Sequence, residues 1–300
     1  MRVNAISINK HFKKSVQENS KLKELTPEEI SELHDVLVEI LNDFDDICLK
    51  NNLTYYVTGG TLLGAIRNNG FIPWDDDIDV SMPRRDFELL KDCLKDFSDK
   101  YFLQSLDSDN RYDLNFLKLR KKGTKYVEIF ENNPEKAGIA IDIFPLDDTY
   151  SNRLLRFVNG IIDEGLFYVA SCVRIHQKKG RLLYYAPDSK IQRKIWNRST
   201  LGRMFSNASN PRWIYDKCEM WTKKYINSGS KYVSTSCGSK HYFGEIYERE
   251  ELFPTKRIKF ENIDVNVPKN PTHVLTKLYG SDYIDPQKEK EMHCVIELKI

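Results

Sequence analysis

The sequence predicts a mixed α/β (α+β) protein, in which a core sheet is flanked by helices and followed by a mainly helical C-terminal extension. Three observations carry this prediction. Residues 26–50 repeat apolar side chains at helical spacing, residues 55–146 contain several short alternating runs typical of strands, and residues 154–175 return to helical spacing. We therefore expect a polar N-terminal segment over 1–25, a core domain over 26–150 and a mainly helical region over 151–300.

The first predicted helix begins at Thr26. Thr26, Pro27 and Glu29 form a capping box with proline at the first helical position. Residues 51–52, two asparagines, end this helix, and the aromatic and β-branched run at 55–57 predicts a strand. The apolar residues of the helix fall on one face, which predicts burial of Ile30, Leu33, Val36, Leu37, Ile40, Leu41, Phe44 and Ile47.

A glycine-rich turn, Gly59-Gly60-Thr61, follows the strand and begins a second helical pattern. Glycine lets the backbone turn without a Cβ clash, and the start of a helix presents free amides and the positive end of the helix dipole. The turn therefore predicts an anion-binding corner in which these three amides hold phosphate oxygens. Arg67, on the same helix, is a candidate either for phosphate binding or for pairing with an aspartate.

Four carboxylates follow, at positions 75, 76, 77 and 79. Residues 77–80 alternate as a strand does, so Asp77 and Asp79 are predicted to share one face. Two carboxylates on one face repel each other, and a cation between them relieves the repulsion. Mg²⁺ prefers a few carboxylates together with phosphate oxygens, so the pair predicts a Mg²⁺ site, with Mn²⁺ as the alternative ion. Asp75 and Asp76 are expected either to cap the start of the strand or to support the metal ligands from behind them.

A third carboxylate is expected from a neighbouring strand. Asp142 lies inside the apolar run 138–146, where a solvated surface charge is hard to explain. Between the two strands, residues 115–120 alternate so that Lys118 and Arg120 fall on one face, where both could contact phosphate oxygens.

Longer stretches of this sequence resemble the LicD family, whose members attach phosphocholine to bacterial surface glycans and which includes the fukutin-type ribitol-phosphate transferases. The resemblance is dense over about 55–150 and thin afterwards. It is carried by residues 59–67 (GGTLLGAIR), 70–80 (GFIPWDDDIDV), 82–84 (MPR), 118–120 (KLR) and 141–147 (IDIFPLD), with a last trace at 278–286.

The resemblance implies a nucleotidyltransferase-like core over 26–150 and a Mg²⁺-dependent phosphotransferase. The donor would be CDP-choline or a similar CDP-linked alcohol. The acceptor would be a sugar hydroxyl of a cell-surface glycan, a lipid-linked glycan or a teichoic acid precursor. Asp77, Asp79 and Asp142 would be the catalytic, metal-binding residues, with Asp142 as ligand, general base or both. The substrate-binding candidates are Gly59, Gly60, Thr61, Arg67, Trp74, Lys118 and Arg120, with Trp74 a candidate for a choline-binding aromatic cage.

Two alternatives remain open. A true nucleotidyltransferase, which transfers a nucleoside monophosphate and releases pyrophosphate, would use the same metal strand. A catalytically silent nucleotide- or glycan-binding protein belongs to another class. It is disfavoured because all three aspartates are present.

Composition narrows the class of protein further. The net charge of +2 argues against a dedicated nucleic-acid binder. Six cysteines are scattered without a CxxC pair, which fits reduced thiols rather than a disulfide framework or a zinc site. The sequence shows neither a signal-peptide pattern nor an apolar run long enough to span a bilayer. We therefore expect a cytoplasmic protein, positioned at the inner membrane face.

Residues 151–300 are expected to lie on the acceptor side of the site. The apolar helix predicted over 154–175 is either a core helix or an apolar face at a membrane surface or lipid-linked acceptor, since the basic stretch 178–181 follows it. A further helix is predicted from Asn210-Pro211, and residues 256–267 alternate like a strand or hairpin.

Overall fold

The computed structural model describes residues 22–93, 99–186, 188–207, 209–210, 212–285 and 293–300. The predicted polar N-terminal segment lies outside these residues as far as position 21, as do Pro211 and Pro286.

The α/β class is confirmed. The helices are α1 (Pro27–Lys50), α2 (Gly59–Asn68), α3 (Arg84–Cys93), α4 (Arg153–Gln177), α5 (Lys179–Tyr185), α6 (Ser189–Phe205), α7 (Trp213–Thr222), α8 (His241–Gly244), α9 (Arg249–Leu252) and α10 (Pro271–Tyr279). The strands are β1 (Tyr56–Val57), β2 (Asp79–Pro83), β3 (Tyr101–Gln104), β4 (Leu117–Lys121), β5 (Lys125–Glu128), β6 (Ala140–Thr149), β7 (Tyr232–Ser234), β8 (Ile246–Glu248), β9 (Lys256–Phe260), β10 (Ile263–Val267) and β11 (Val295–Lys299).

The main sheet has the strand order β1-β2-β6-β4-β3, and β7 and β8 extend it from the C-terminal part of β6. Strands β2 and β6 run parallel, whereas the other neighbours run antiparallel. Two further pairs lie outside this sheet, β9 with β10 and β5 with β11. The long β6 is therefore the central strand, and the residues at its start face both β2 and β4.

Helix α1 has the predicted capping box: the Glu29 amide donates to Thr26 Oγ1 at 3.2 Å, and Glu29 accepts from the Thr26 amide at 3.1 Å. Its apolar face packs into the main core together with β1, β2 and the β9–β10 hairpin. The hairpin occupies the segment 256–267 that the alternation predicted.

The predicted start of the metal-bearing strand was wrong by two residues. The ladder of β2 with β6 begins at Asp79, and Asp77 lies before it. The physical reason is the position of Asp76, whose carboxylate accepts hydrogen bonds from the Tyr126 hydroxyl and the His293 amide, each at 2.9 Å. These contacts hold residues 75–77 outside the ladder.

Helix α4 is present over the predicted segment, but only its C-terminal half is a core helix. There Ala170, Cys172, Val173 and Ile175 are buried. The N-terminal half exposes six large apolar side chains, each between 41% and 70% accessible. We call them the α4 apolar face: Leu154, Leu155, Phe157, Val158, Ile161 and Ile162. Of the helices in the described ranges, none has both the length and the apolarity to cross a membrane.

Candidate active site

Three predicted site residues lie side by side on neighbouring strands. Asp79 on β2 is opposite Asp142 on β6, and Asp142 is opposite Lys118 on β4. Residues in register on paired strands project to the same face of a sheet. Lys118 Nζ donates to both carboxylate oxygens of Asp142, at 2.8 and 2.9 Å. The fold thus brings together two carboxylates and one ammonium group. The first and last of these residues, Asp79 and Asp142, are more than sixty positions apart in the sequence.

The carboxylates of this group are crowded. Burial, and then the nearby charges of Asp77 and Asp142, raise the pKa of Asp79 well above its ordinary range. Burial also raises the pKa of Asp142, and the Lys118 ammonium opposes that rise. Glu128 lines the same cavity as these residues. Such a set of acids is stabilised in its charged form when a cation binds among them.

The glycine-rich turn packs directly on the aspartates. Gly59 has a φ of +58°, and a Cβ there would stand 2.6 Å from Asp79 Oδ2. A Cβ at Gly60 would collide with Asp75 Oδ2. Thr61 is buried, and its Oγ1 accepts a hydrogen bond from the Asp79 amide at 2.9 Å. The turn therefore sets the position of Asp79, and phosphate binding by its amides stays a prediction.

We expect Gly59→Ala to lower turnover by roughly tenfold or more, because the added methyl group displaces the Asp79 carboxylate. Gly123→Ala is the matched control, since Gly123 also has a positive φ, +83°, but a Cβ added there would meet no atom within 4 Å. Both variants should lose about 1–2 kcal/mol of unfolding free energy from the left-handed backbone. Steady-state rates and urea unfolding separate the two effects. Equal turnover in both variants would show that contact with Asp79 is unimportant.

His293, which was not among the predicted site residues, also belongs to this site. His293 Nδ1 lies 2.8 Å from Asp76 Oδ1, and His293 Nε2 lies 3.5 Å from Asp77 Oδ2. Asp76, Asp77 and His293 bring ligand atoms within 4.8 Å of one another. Asp76 therefore orients His293 rather than merely supporting a strand. No local signal in the sequence predicts this, because 217 positions separate the two residues.

Lys118 is part of the cavity lining, whereas the other predicted substrate-binding residues lie outside it: the glycine-rich turn, Arg67, Trp74 and Arg120. Arg120 is buried and donates to Gln104 Oε1, Glu131 Oε2 and the Gly138 carbonyl oxygen at 2.6–2.8 Å. Arg67 Nε donates to Asn68 Oδ1 at 3.2 Å. Trp74 is half-buried and packs against the main core. Their roles in binding substrate remain predictions.

A cavity of about 400 Å³ opens over the sheet face and continues to helix α4. Its lining includes Asp77, Asp79, Lys118 and Asp142, together with His293. The predicted metal group, its lysine and the unpredicted histidine therefore face one common space, in which a ligand could contact all of them.

An aromatic pair stands beside these charges in the cavity wall. The rings of Phe116 and Phe144 are 4.6 Å apart at 35°, and Lys118 Nζ lies 5.6 Å from the Phe116 ring centre. The position of this aromatic pair could have been predicted from the sequence. Phe144 is two residues after Asp142 and Phe116 two before Lys118, so strand alternation places them on the face of the charged residues.

The sequence of the core matches known proteins. Residues 52–158 match the family described as LicD/FKTN/FKRP, nucleotidyltransferase domain. Over 57 residues the chain is 49% identical to the lipopolysaccharide cholinephosphotransferase LicD of Haemophilus influenzae, a stretch covering 19% of this chain and 22% of that protein. Over 121 residues it is 31% identical to an uncharacterised protein of Rickettsia typhi, covering 39% and 36%. Over 49 residues it is 47% identical to an uncharacterised Caenorhabditis elegans protein, covering 16% and 13%.

These matches span at most 36% of the length of each of these three relatives. The matched segment 52–158 contains the glycine-rich turn, both aspartates at positions 77 and 79, Lys118 and Asp142. It therefore coincides with the part of the fold that builds the crowded sheet face. Residues 52–158 of this chain are therefore similar to the nucleotidyltransferase domain of the LicD family.

Proposed function

We propose that this protein is a Mg²⁺-dependent phosphotransferase that moves phosphocholine, or a similar alcohol phosphate, from a CDP-linked donor to a sugar hydroxyl of a cell-surface glycan or its precursor. The observation that carries the proposal is the row Asp79, Asp142 and Lys118, which faces one cavity beside the aromatic pair Phe116 and Phe144. The named activity of the Haemophilus influenzae relative supports the same chemistry.

The donor set of the cavity suits a hard divalent cation. Asp77, Asp79 and Asp142 would hold Mg²⁺, because the crowding that raises the pKa of Asp79 is relieved by a bound cation. When bound, Mg²⁺ neutralises the charge of the donor diphosphate and of the departing CMP. Lys118 fixes the Asp142 carboxylate and adds one positive charge to the same face.

The transfer replaces one phosphorus–oxygen bond with another. The oxygen of the acceptor hydroxyl attacks the phosphorus that carries choline, and the bond from that phosphorus to the bridging oxygen breaks. CMP leaves with the bridging oxygen, and the hydroxyl proton passes to water in the cavity. Lys118 donates to both oxygens of Asp142, which favours the charged carboxylate and therefore the ligand role over the base role.

The choline group is assigned to the aromatic pair. A quaternary ammonium cannot form hydrogen bonds and binds best against aromatic faces, through cation–π attraction. Phe116 and Phe144 offer such faces within the cavity, next to the carboxylates that would hold the phosphate through the metal.

A thermal-shift screen tests the donor class. The protein is heated with Mg²⁺ and CDP-choline, CDP-ethanolamine, CDP-ribitol or CTP, because a ligand that binds only the folded state raises the melting temperature. We expect a CDP-linked alcohol to give the largest rise, and Phe144→Ala to reduce it for CDP-choline but not for CTP. A larger rise with CTP than with every CDP-linked alcohol, together with pyrophosphate release, would favour a true nucleotidyltransferase.

We also propose that the α4 apolar face rests on an anionic lipid surface, which would bring a lipid-linked acceptor to the cavity. The face adjoins the cavity wall: the Phe157 and Phe243 rings are 5.7 Å apart, and the Phe243 amide donates to Glu164, a cavity residue, at 3.3 Å. Apolar side chains beside basic residues are typical of surfaces that lie in the lipid interface.

Helix α6 supplies the basic residues. It carries five lysines and arginines and no acid, and it exposes Trp196 and Met204. It runs antiparallel to α4: Ser199 Oγ lies 3.0 Å from His176 Nδ1, whereas Gly202 packs on the Cys172 backbone. Its C-terminal end therefore points toward the α4 apolar face, and Arg203 in its last turn is the basic residue of α6 on that side, where it could contact an anionic bilayer.

Co-sedimentation with phosphatidylglycerol vesicles tests the lipid contact. The double variant Leu154→Glu/Phe157→Glu should bind roughly tenfold more weakly than the unchanged protein, because two exposed apolar side chains that would enter the lipid are replaced by negative charges. Leu49→Glu is the control, since Leu49 is 58% exposed on α1, outside this face. Equal loss in both variants would contradict the proposal. So would a dimer of the unchanged protein that the double variant alone dissociates, because the face would then be covered by a second copy.

A further inference from the structure

The wall of the cavity on the side of helix α4 carries a buried carboxylate that the proposed chemistry does not use. Asp163 is 2% exposed and lines the cavity. Ser236 Oγ donates to its Oδ2 at 3.0 Å, whereas its Oδ1 has no hydrogen-bond partner among the described residues. A buried polar atom without a partner costs about 1–3 kcal/mol, so such an atom in a cavity wall is placed to bind a polar atom of a ligand.

A second unsatisfied atom lies in the same wall. The His241 ring is hydrogen-bonded to the Ser236 backbone, and within the described part of the chain its Nε2 has no partner. His241 has a φ of +56°, an uncommon conformation for a residue other than glycine. Asp163 is therefore hydrogen-bonded to the Ser236 hydroxyl, and His241 is hydrogen-bonded to the backbone of the same residue.

Hydrogen bonds of Glu245 hold the segment that carries Ser236 and His241 in a fixed conformation. The buried Glu245 carboxylate accepts from the Lys240 amide at 2.8 Å and packs against Gly238. The Glu245 amide donates to the His241 carbonyl oxygen at 3.0 Å. These bonds hold the strained His241 backbone in place, which is typical of positions where geometry serves a site.

The two atoms have complementary hydrogen-bonding character. Burial raises the pKa of Asp163 to about 8, so near pH 7 its carboxyl is largely protonated and Oδ1 can donate. Burial lowers the pKa of His241, so the ring is neutral. Because its other nitrogen is engaged with the Ser236 backbone, Nε2 of the neutral ring is an acceptor.

We propose that Asp163 and His241 form a hydroxyl-binding subsite for a sugar ring of the acceptor glycan. The identity of this ligand rests on the proposed function. Hydroxyl groups of a sugar can accept from Asp163 Oδ1 and donate to His241 Nε2, so that both atoms gain a partner. A trimethylammonium group would satisfy neither, since it has no hydrogen-bonding atom. The choline group therefore belongs at the aromatic pair, and the sugar belongs at the α4 wall.

Saturation-transfer NMR with methyl glycosides of glucose, galactose and N-acetylglucosamine tests the subsite. At least one glycoside should bind the unchanged protein, and Asp163→Leu should weaken its binding about tenfold, because one hydrogen bond is lost beside a buried acceptor. Asp163→Asn should retain binding, since its amide oxygen accepts from Ser236 and its NH₂ donates to the ligand. His241→Asn, which tolerates the positive φ, should also weaken binding. Glu164→Gln, a neighbouring cavity residue, should not.

The outcomes separate the subsite from the proposed function. Failure of all three glycosides to bind, or equal binding in Asp163→Leu and the unchanged protein, would overturn the subsite. Choline binding that is lost in Asp163→Leu and Glu164→Gln would also overturn it, because the wall would then hold the cation. Turnover of CDP-choline is measured in parallel. If glycosides bind as expected and no CMP forms, the subsite stands and the proposed reaction fails.

Discussion

Asp79→Asn is expected to reduce turnover of a CDP-linked donor by roughly 10³-fold or more, because the metal loses a charged ligand at the point where the diphosphate charge must be neutralised. The stability of the folded protein should not decrease. Burial and the neighbouring carboxylates raise the pKa of Asp79, so its charge is unfavourable in the folded protein without a cation. Removing that charge should leave the melting temperature unchanged or higher.

A loss of turnover with an unchanged or higher melting temperature is expected only for a carboxylate that serves the reaction rather than the fold. Asp107→Asn is the control, since Asp107 is 71% exposed and contacts Lys91 at 3.3 Å on the surface. It should keep both activity and stability. Retained turnover with ordinary metal dependence in Asp79→Asn would contradict the metal assignment. A large fall in its melting temperature would show that the side chain serves the fold.

Arg84→Ala is expected to lower the free energy of unfolding by about 3–5 kcal/mol, because it leaves a buried carboxylate without its partner. Arg84, at the start of α3, donates through Nε and Nη2 to Asp147 on β6, at 2.7 and 2.9 Å. It also donates to Thr222 at the end of α7, at 3.2 Å. The guanidinium therefore joins the central strand to two helices. Urea unfolding measures the loss.

Two further variants test this explanation. Arg85→Ala removes the neighbouring exposed arginine and should cost less than about 0.5 kcal/mol. The double variant Arg84→Ala/Asp147→Ala should be less destabilised than the sum of its single variants, because no charge is left unpaired. A loss in Arg84→Ala as small as that in Arg85→Ala would mean that the buried pair contributes little to stability.

The sequence predicted the parts of the site that depend on local pattern. Strand alternation placed Asp79 on the face that it occupies, and the apolar run around Asp142 identified the strand that pairs with it. The same alternation could have identified Phe116 and Phe144. Local rules succeeded here because a two-residue period fixes which side chains share a face, whatever the rest of the fold does.

Residues brought together by tertiary contacts could not be predicted in this way. His293 reaches Asp76 across 217 positions, and His241 meets helix α4 through Ser236. Helix α4 also could not be predicted in full from local pattern. Its apolar spacing predicts a buried face, but packing against the rest of the fold decides which half of the helix is buried. Arg120 alternates with Lys118, yet Gln104, Glu131 and Gly138 occupy its donors.

The most direct test of the proposed reaction is ³¹P NMR of the protein incubated with CDP-choline, Mg²⁺ and a glycolipid extract of the source cells. We expect CMP to appear in step with a new phosphodiester signal in the glycolipid. Chelation of Mg²⁺ should stop both, and Asp79→Asn should show neither. Pyrophosphate release from CTP in place of CMP formation, or an unchanged CDP-choline spectrum in the presence of Mg²⁺ and the extract, would contradict the proposed reaction.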